Sequence, residues 1–110
     1  MSRRFLATVF LLLFSSGCFA ADAKCQGESQ LRSLEFSIPT KMKFTNRSKS
    51  TKRIYWLNYD GVRVLYNKLA PGRSYQQSTY VTHPWVITQK SGDCYAIYLP
   101  NRFPMSISID

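Results

Sequence analysis

The residues with the most chemical potential in this chain lie between Tyr55 and Trp85. Both tryptophans, Trp56 and Trp85, and the only histidine, His83, fall in this span, along with Tyr55, Tyr59, Tyr66 and Tyr80. Aromatic faces bury much apolar area with few rotatable bonds, so such a set suits a binding pocket. It does not suit catalysis. His83 has no Ser or Cys nucleophile at a recognised spacing, and the six acidic residues include no general acid–base pair. One histidine with scattered carboxylates makes no metal ligand set, and no Cys-x-x-Cys motif is present. No catalytic residue, metal or cofactor is expected.

Short strands are the elements available to position these rings. Lys41 to Asn46 alternates apolar and polar residues with a period of two, as a half-buried strand does. Further strands are expected over Arg53–Tyr59, Arg63–Leu69, Ser74–Tyr80, Pro84–Thr88, Cys94–Leu99 and Met105–Ile109. Between the second and third, Asp60-Gly61 is a two-residue hairpin signal. Pro71-Gly72 turns the chain again, because proline presets φ and glycine accepts a positive φ. About seven strands with turns every eight to twelve residues predict an all-β, antiparallel β-sandwich of the immunoglobulin or prealbumin kind, with no helical domain. Trp56, on a central strand, has the setting of a core tryptophan. Trp85, at a loop-to-strand junction after Pro84, is expected to be the more exposed.

At 110 residues the chain has room for one domain. Residues 1–20 read as a signal peptide: Arg3 and Arg4, then an apolar stretch from Phe5 to Phe14 that is too short to span a bilayer, then small residues. Cleavage after Ala20 is expected, with a second site after Ala23. Ser16-Gly17-Cys18 resembles the end of a bacterial lipoprotein signal, but Ser15 stands where leucine belongs, which disfavours a lipidated Cys18. Residues 21–40 read as an irregular segment pinned by Leu31, Leu34, Phe36 and Ile38, and residues 41–110 as the sandwich. Export to the periplasm or the extracellular space is expected, with no transmembrane segment once the signal is removed. Cys25 and Cys94 then remain in an oxidising compartment, where a pair bridges.

Loss of Arg3 and Arg4 leaves thirteen basic against six acidic residues, a net charge of about +7. Such a surface favours anionic partners such as cell-wall polymers, or serves only to keep the protein soluble; the cations are scattered along the sequence, and no specific nucleic-acid partner is expected. Asn46-Arg47-Ser48 matches a glycosylation sequon, while Asn46 and Asn58 are placed to satisfy backbone groups at strand ends.

Several of these residues resemble a known family. Leu31-Arg32-Ser33, Asn46-Arg47-Ser48, Trp56-Leu57-Asn58-Tyr59-Asp60-Gly61, Tyr66, Leu69, Pro71-Gly72, Tyr80, His83, Trp85 and Leu99-Pro100 are similar, without a gap from Leu31 to about Val86, to the β domain of the von Hippel–Lindau tumour suppressor. The ending from Gly92-Asp93-Cys94 to Leu99-Pro100 looks like that of the stand-alone exported bacterial versions. The resemblance implies a peptide- or protein-binding module, since that β domain binds a hydroxyproline-bearing peptide of the hypoxia-inducible factor; the alternatives are an envelope-associated structural or interaction protein that has lost the peptide ligand, and a basic domain that binds anionic polymers. Its pocket positions fall on Trp56, Tyr66, Thr79, His83 and Trp85; four keep the residue type, and Thr79 replaces a serine. Ser78 and Tyr75 stand where the family member has His and Arg. The helical domain that recruits elongin has no counterpart after Leu99-Pro100, so no elongin or ubiquitin-ligase partner is expected.

Overall fold

The structure is a computed structural model and describes residues 24–110. The signal-peptide segment, its two cleavage sites and Cys18 lie outside the described residues.

Seven strands form two sheets: β1 (Pro39–Asn46), β2 (Lys52–Leu57), β3 (Arg63–Leu69), β4 (Ser74–Tyr80), β5 (Trp85–Thr88), β6 (Cys94–Tyr98) and β7 (Met105–Ile109). One sheet has the order β4-β1-β7, the other β3-β2-β5-β6. Apart from short 3₁₀ segments at 24–25 and Glu28–Gln30, the described residues form strands, turns and irregular backbone. This is the expected all-β sandwich, with one departure from antiparallel order. β7 pairs with β1 in parallel, Met42 opposite Met105 and Asn46 opposite Ile109. The reason is where the chain returns. β7 follows the long β6–β7 connection and closes the free side of β1, whose other side is already taken by β4.

The apolar alternation seen in β1 is the core. Met42 and Phe44 face Ile54, Ile87, Ile107, Ile109, Leu69 and Trp85, all buried. β5 is buried at every position and is one of the two inner strands of its sheet.

The loop after β2 is longer than a two-residue hairpin. It spans residues 58–62, because the Asn58 side chain builds a local turn. Asn58 Oδ1 accepts from the backbone of Asp60 and Val62, both at 2.9 Å, and Gly61 N donates to Asn58 O at 3.0 Å. Gly61 has φ 76°, and a Cβ there would stand 3.0 Å from the Leu31 carbonyl oxygen, so glycine is required twice over. At Ala70–Arg73, Pro71-Gly72 forms the expected turn, with Gly72 at φ 80°.

Asn46 also works as a structural clamp. Its amide nitrogen donates to Ser50 O and Leu69 O at 2.9 and 2.8 Å, and its oxygen accepts from Ser48 N and Oγ. With no exposed surface, the sequon asparagine is closed to a glycosylating enzyme in the folded domain.

Of the four apolar residues expected to pin the segment before β1, only Leu31 is half-buried. Leu34, Phe36 and Ile38 are all exposed. The anchor is Ser33, 2% exposed, whose hydroxyl donates to Leu57 O at 2.6 Å while its amide donates to Asn58 O at 3.1 Å. Two ties hold the segment further upstream. Arg63 pairs with Glu28 through Nε and Nη2 at 2.7 and 2.8 Å and donates Nη1 to Gly92 O, and Cys25 is bonded to Cys94 as expected. The result is a strap, residues 25–38, crossing the four-stranded sheet beside the β2–β3 loop.

Candidate functional site: an aromatic cavity under the strap

All five expected pocket residues line one cavity of about 220 Å³, with Tyr59, Gln77, Ser78 and Tyr80 completing its wall. Five separate local features bring them together. Trp56 on β2 is directly opposite Trp85 on β5, so the two indoles share the inner face of the sheet. Tyr66 arrives through a bulge in β3: Ile54 pairs with Asn67 and Tyr55 with Leu65, which leaves Tyr66 as the extra residue. A bulge re-aims the side chain it carries. Here it puts the Tyr66 ring 5.0 Å from Trp85 and 6.2 Å from Trp56, edge-on to both. Thr79 comes from β4, and His83 from the β4–β5 loop.

The two tryptophans have the opposite exposures from those expected. Trp85 is 2% exposed and belongs to the core, packed on Phe44, with Nε1 donating to Thr79 Oγ1 at 2.9 Å. Trp56 is the half-buried one, at the cavity mouth, and its Nε1 donates to Ser33 Oγ at 2.8 Å. Pro84 does not expose Trp85, because Pro84 is itself buried and its carbonyl accepts from Leu57 N, zipping the loop into the sheet.

The position of His83 is set from several sides. Its ring stacks on Trp56 at 5.4 Å and 27°, with Tyr59 at right angles 5.4 Å away. Its Nε2 lies 2.8 Å from Glu35 O and 3.1 Å from the Tyr59 hydroxyl. A carbonyl only accepts, so Nε2 carries the proton and Nδ1 is left with a free lone pair. The preceding residue, Thr82, has φ 86°, a strained value for a β-branched residue. The strap holds it there: Thr82 Oγ1 accepts from the amides of Leu34 and Glu35 and donates to Glu35 O. Burial lowers the His83 pKa below 6.5, and the hydrogen bond to Glu35 opposes this only in part. The imidazole is therefore neutral at neutral pH.

Thr79 complements it. Its oxygen accepts from Trp85, which leaves its own O–H to donate outward. The cavity thus offers one acceptor, His83 Nδ1, and one donor, the Thr79 hydroxyl, between aromatic walls.

Sequence reasoning missed Glu35, Ser33 and Thr82 as parts of the site, and did not assign Tyr59 and Tyr80 to it. The strap residues act mostly through backbone atoms and small hydroxyls, which leave no compositional signal. Tyr59 could have been found: it sits three residues beyond Trp56 in the same aromatic-rich block.

The model of one family, the VHL beta domain, matches residues 31–98. A search of curated proteins finds no match. The matched span runs from the strap through the last residue of β6, covers more than half of the chain and takes in every wall of the cavity; the chain belongs to the VHL beta domain family.

Proposed function

We propose that this protein is an exported peptide-binding module that recognises a hydroxylated proline through the cavity beneath the strap. Substrate binding by a β domain is the general property of its family. The observation that carries the finer reading is that His83 and Thr79 both line the aromatic cavity, His83 with an acceptor and Thr79 with a donor left over from their own hydrogen bonds. The size also fits. A cavity of about 220 Å³ is smaller than the roughly 300–1,000 Å³ of sites for free ligands, and suits one ring-bearing side chain of a longer chain. Tyr66 remains 46% exposed at its rim, as an open site requires, whereas a sandwich that had lost its ligand would close over that ring. β4, the outer strand of its sheet, offers a free edge to the peptide backbone. Export is supported by the Cys25–Cys94 bridge.

The test is a calorimetric titration of the oxidised domain with matched proline and hydroxyproline peptides. Plain proline leaves the His83 and Thr79 groups unmet, at about 1–3 kcal/mol. The hydroxylated peptide should therefore bind about 5- to 150-fold more tightly at neutral pH. Thr79→Val should remove most of this preference while leaving binding of the proline peptide nearly unchanged. Equal affinity for the two peptides would refute the reading.

Acidification gives a second arm. Protonation of His83 converts Nδ1 from acceptor to donor. Because the folded pKa lies below 6.5, the preference should persist at pH 6.5 and disappear as the pH falls through that lowered value. The same group adds stability that is complete above pH 6.5 and is lost over the same acidic window, since the unfolded chain takes up the proton first. A preference that survives full acidification would remove His83 from the recognition.

A further inference from the structure

The cations that are scattered in the sequence do not stay scattered. The strand register puts Pro39 opposite Tyr80, Lys41 opposite Ser78 and Lys43 opposite Gln76, all on the outer face of the three-stranded sheet. β7 adds Ser106 beside Lys43. All seven are exposed. The face carries a hollow of about 500 Å³ reached by Lys41 and Arg102, and a second of about 160 Å³ reached by Lys41 and Lys43, with Pro104 shared by both. No carboxylate lines either one. Among the described residues the only ion pair is Arg63–Glu28, so Lys41, Lys43 and Arg102 are free cations.

We propose that this outer face is a second binding site, for an acidic polysaccharide bearing carboxylate groups. Charge complementarity requires an anionic occupant, and the architecture selects which kind. β1 lies between β4 and β7, so both of its edges are used and it has no backbone groups to offer. A peptide brings amides and carbonyls that pair with a strand edge, here the outer edge of β4, and seated there it leaves Lys41 and Lys43 on the middle strand unmet. A glycan brings hydroxyls, which the side chains of Ser78, Gln76 and Ser106 can pair, and flat pyranose faces, which Pro39, Pro104 and Tyr80 can support. Lys41 and Lys43 stand two residues apart on one strand, about 7 Å, and Arg102 extends the row with a guanidinium that fits a carboxylate in a fork. Nucleic acid is disfavoured, because the hollows present only one aromatic ring, Tyr80, for stacking. The site shares Ser78, Thr79 and Tyr80 of β4 with the aromatic cavity, but the cations that define it, Lys41, Lys43 and Arg102, take no part in recognising a hydroxyproline, so it does not depend on that reading.

The experiment is titration of the oxidised domain with oligogalacturonate, with neutral dextran and oligothymidylate of matched length as comparisons. Oligogalacturonate should bind and dextran should not. Replacing Lys41, Lys43 and Arg102 together by Gln should weaken binding at least 30-fold, and Gln76→Ala should weaken it several-fold without altering its salt dependence. Lys68→Gln with Lys90→Gln, and His83→Ala, should each change it by less than twofold. Thermal unfolding of the triple variant within a few degrees of the parent would show that the loss is local. The proposal is overturned if the Lys68 and Lys90 pair matters as much as the triple set, if oligothymidylate binds as tightly as oligogalacturonate, or if oligogalacturonate does not bind.

Discussion

Trp85→Ala is expected to destabilise the domain by about 3–5 kcal/mol, a large part of the roughly 5–15 kcal/mol that a domain possesses. The indole is 2% exposed, touches Phe44 and Tyr66, and sits in the main core cluster. Its removal opens a cavity where the two sheets meet and strips the Thr79 hydroxyl of its donor. For a domain of this size the melting midpoint should fall by more than about 12 °C, read by circular dichroism. Trp56→Ala should be much milder, because that ring is only half-buried at the cavity mouth. A loss below about 1.5 kcal/mol for Trp85→Ala would contradict its place in the core. The contrast bears on the choice of variants: Trp85→Ala tests the fold, whereas Thr79→Val tests the site at a stability cost of about 1–3 kcal/mol for the Trp85 N–H it leaves unpaired.

The second large effect concerns the bridge. Cys25–Cys94 closes a separation of 69 residues, for which loop entropy gives about 4 kcal/mol. A Cys25→Ser, Cys94→Ser double variant should lose approximately that much in urea unfolding. It should also lose hydroxyproline preference beyond what the weakened fold explains, measured well below its melting point. The bridge tethers the upstream end of the strap, and the strap supplies Ser33 to Trp56 and the Glu35 carbonyl to His83. Without the tether, the groups that fix the imidazole and its protonated nitrogen are held only by the Arg63–Glu28 pair and by hydrogen bonds. A stability loss under about 1 kcal/mol would mean that Arg63, Glu28 and Ser33 already order the strap unaided.

The strands were largely legible in the sequence because each is short, alternates and is bounded by Asn, Gly or Pro. β3, β4 and β7 match their expected ranges, and β2 and β6 stop one or two residues early where Asn58 and Pro100 intervene. The five cavity residues were legible only through resemblance. Nothing local says that Tyr66 belongs beside Trp56, since the bulge that aims it is a register mismatch between two strands. The parallel β1–β7 pairing was hidden for the same reason: strand direction follows from topology, not from alternation. The strap misled most directly. Leu34, Phe36 and Ile38 look like anchors by type, yet Ser33 does the anchoring, because a buried indole N–H and a strand-end carbonyl both needed a partner.

The parallel pairing also governs the order in which the molecule can be completed. Among the described residues β1 is the first strand made and β7 the last, and they are neighbours. A chain that is synthesised, or threaded through a narrow channel, from its N-terminal end exposes Met42 and Phe44 long before Ile107 and Ile109 arrive to cover them. The three-stranded sheet cannot close until the final residues are free. Contacts of such long sequence separation make folding slow. They also leave Met42 and Phe44 incompletely covered until β7 is in place, whereas the β3-β2-β5-β6 sheet and the β1–β4 pair can form without it.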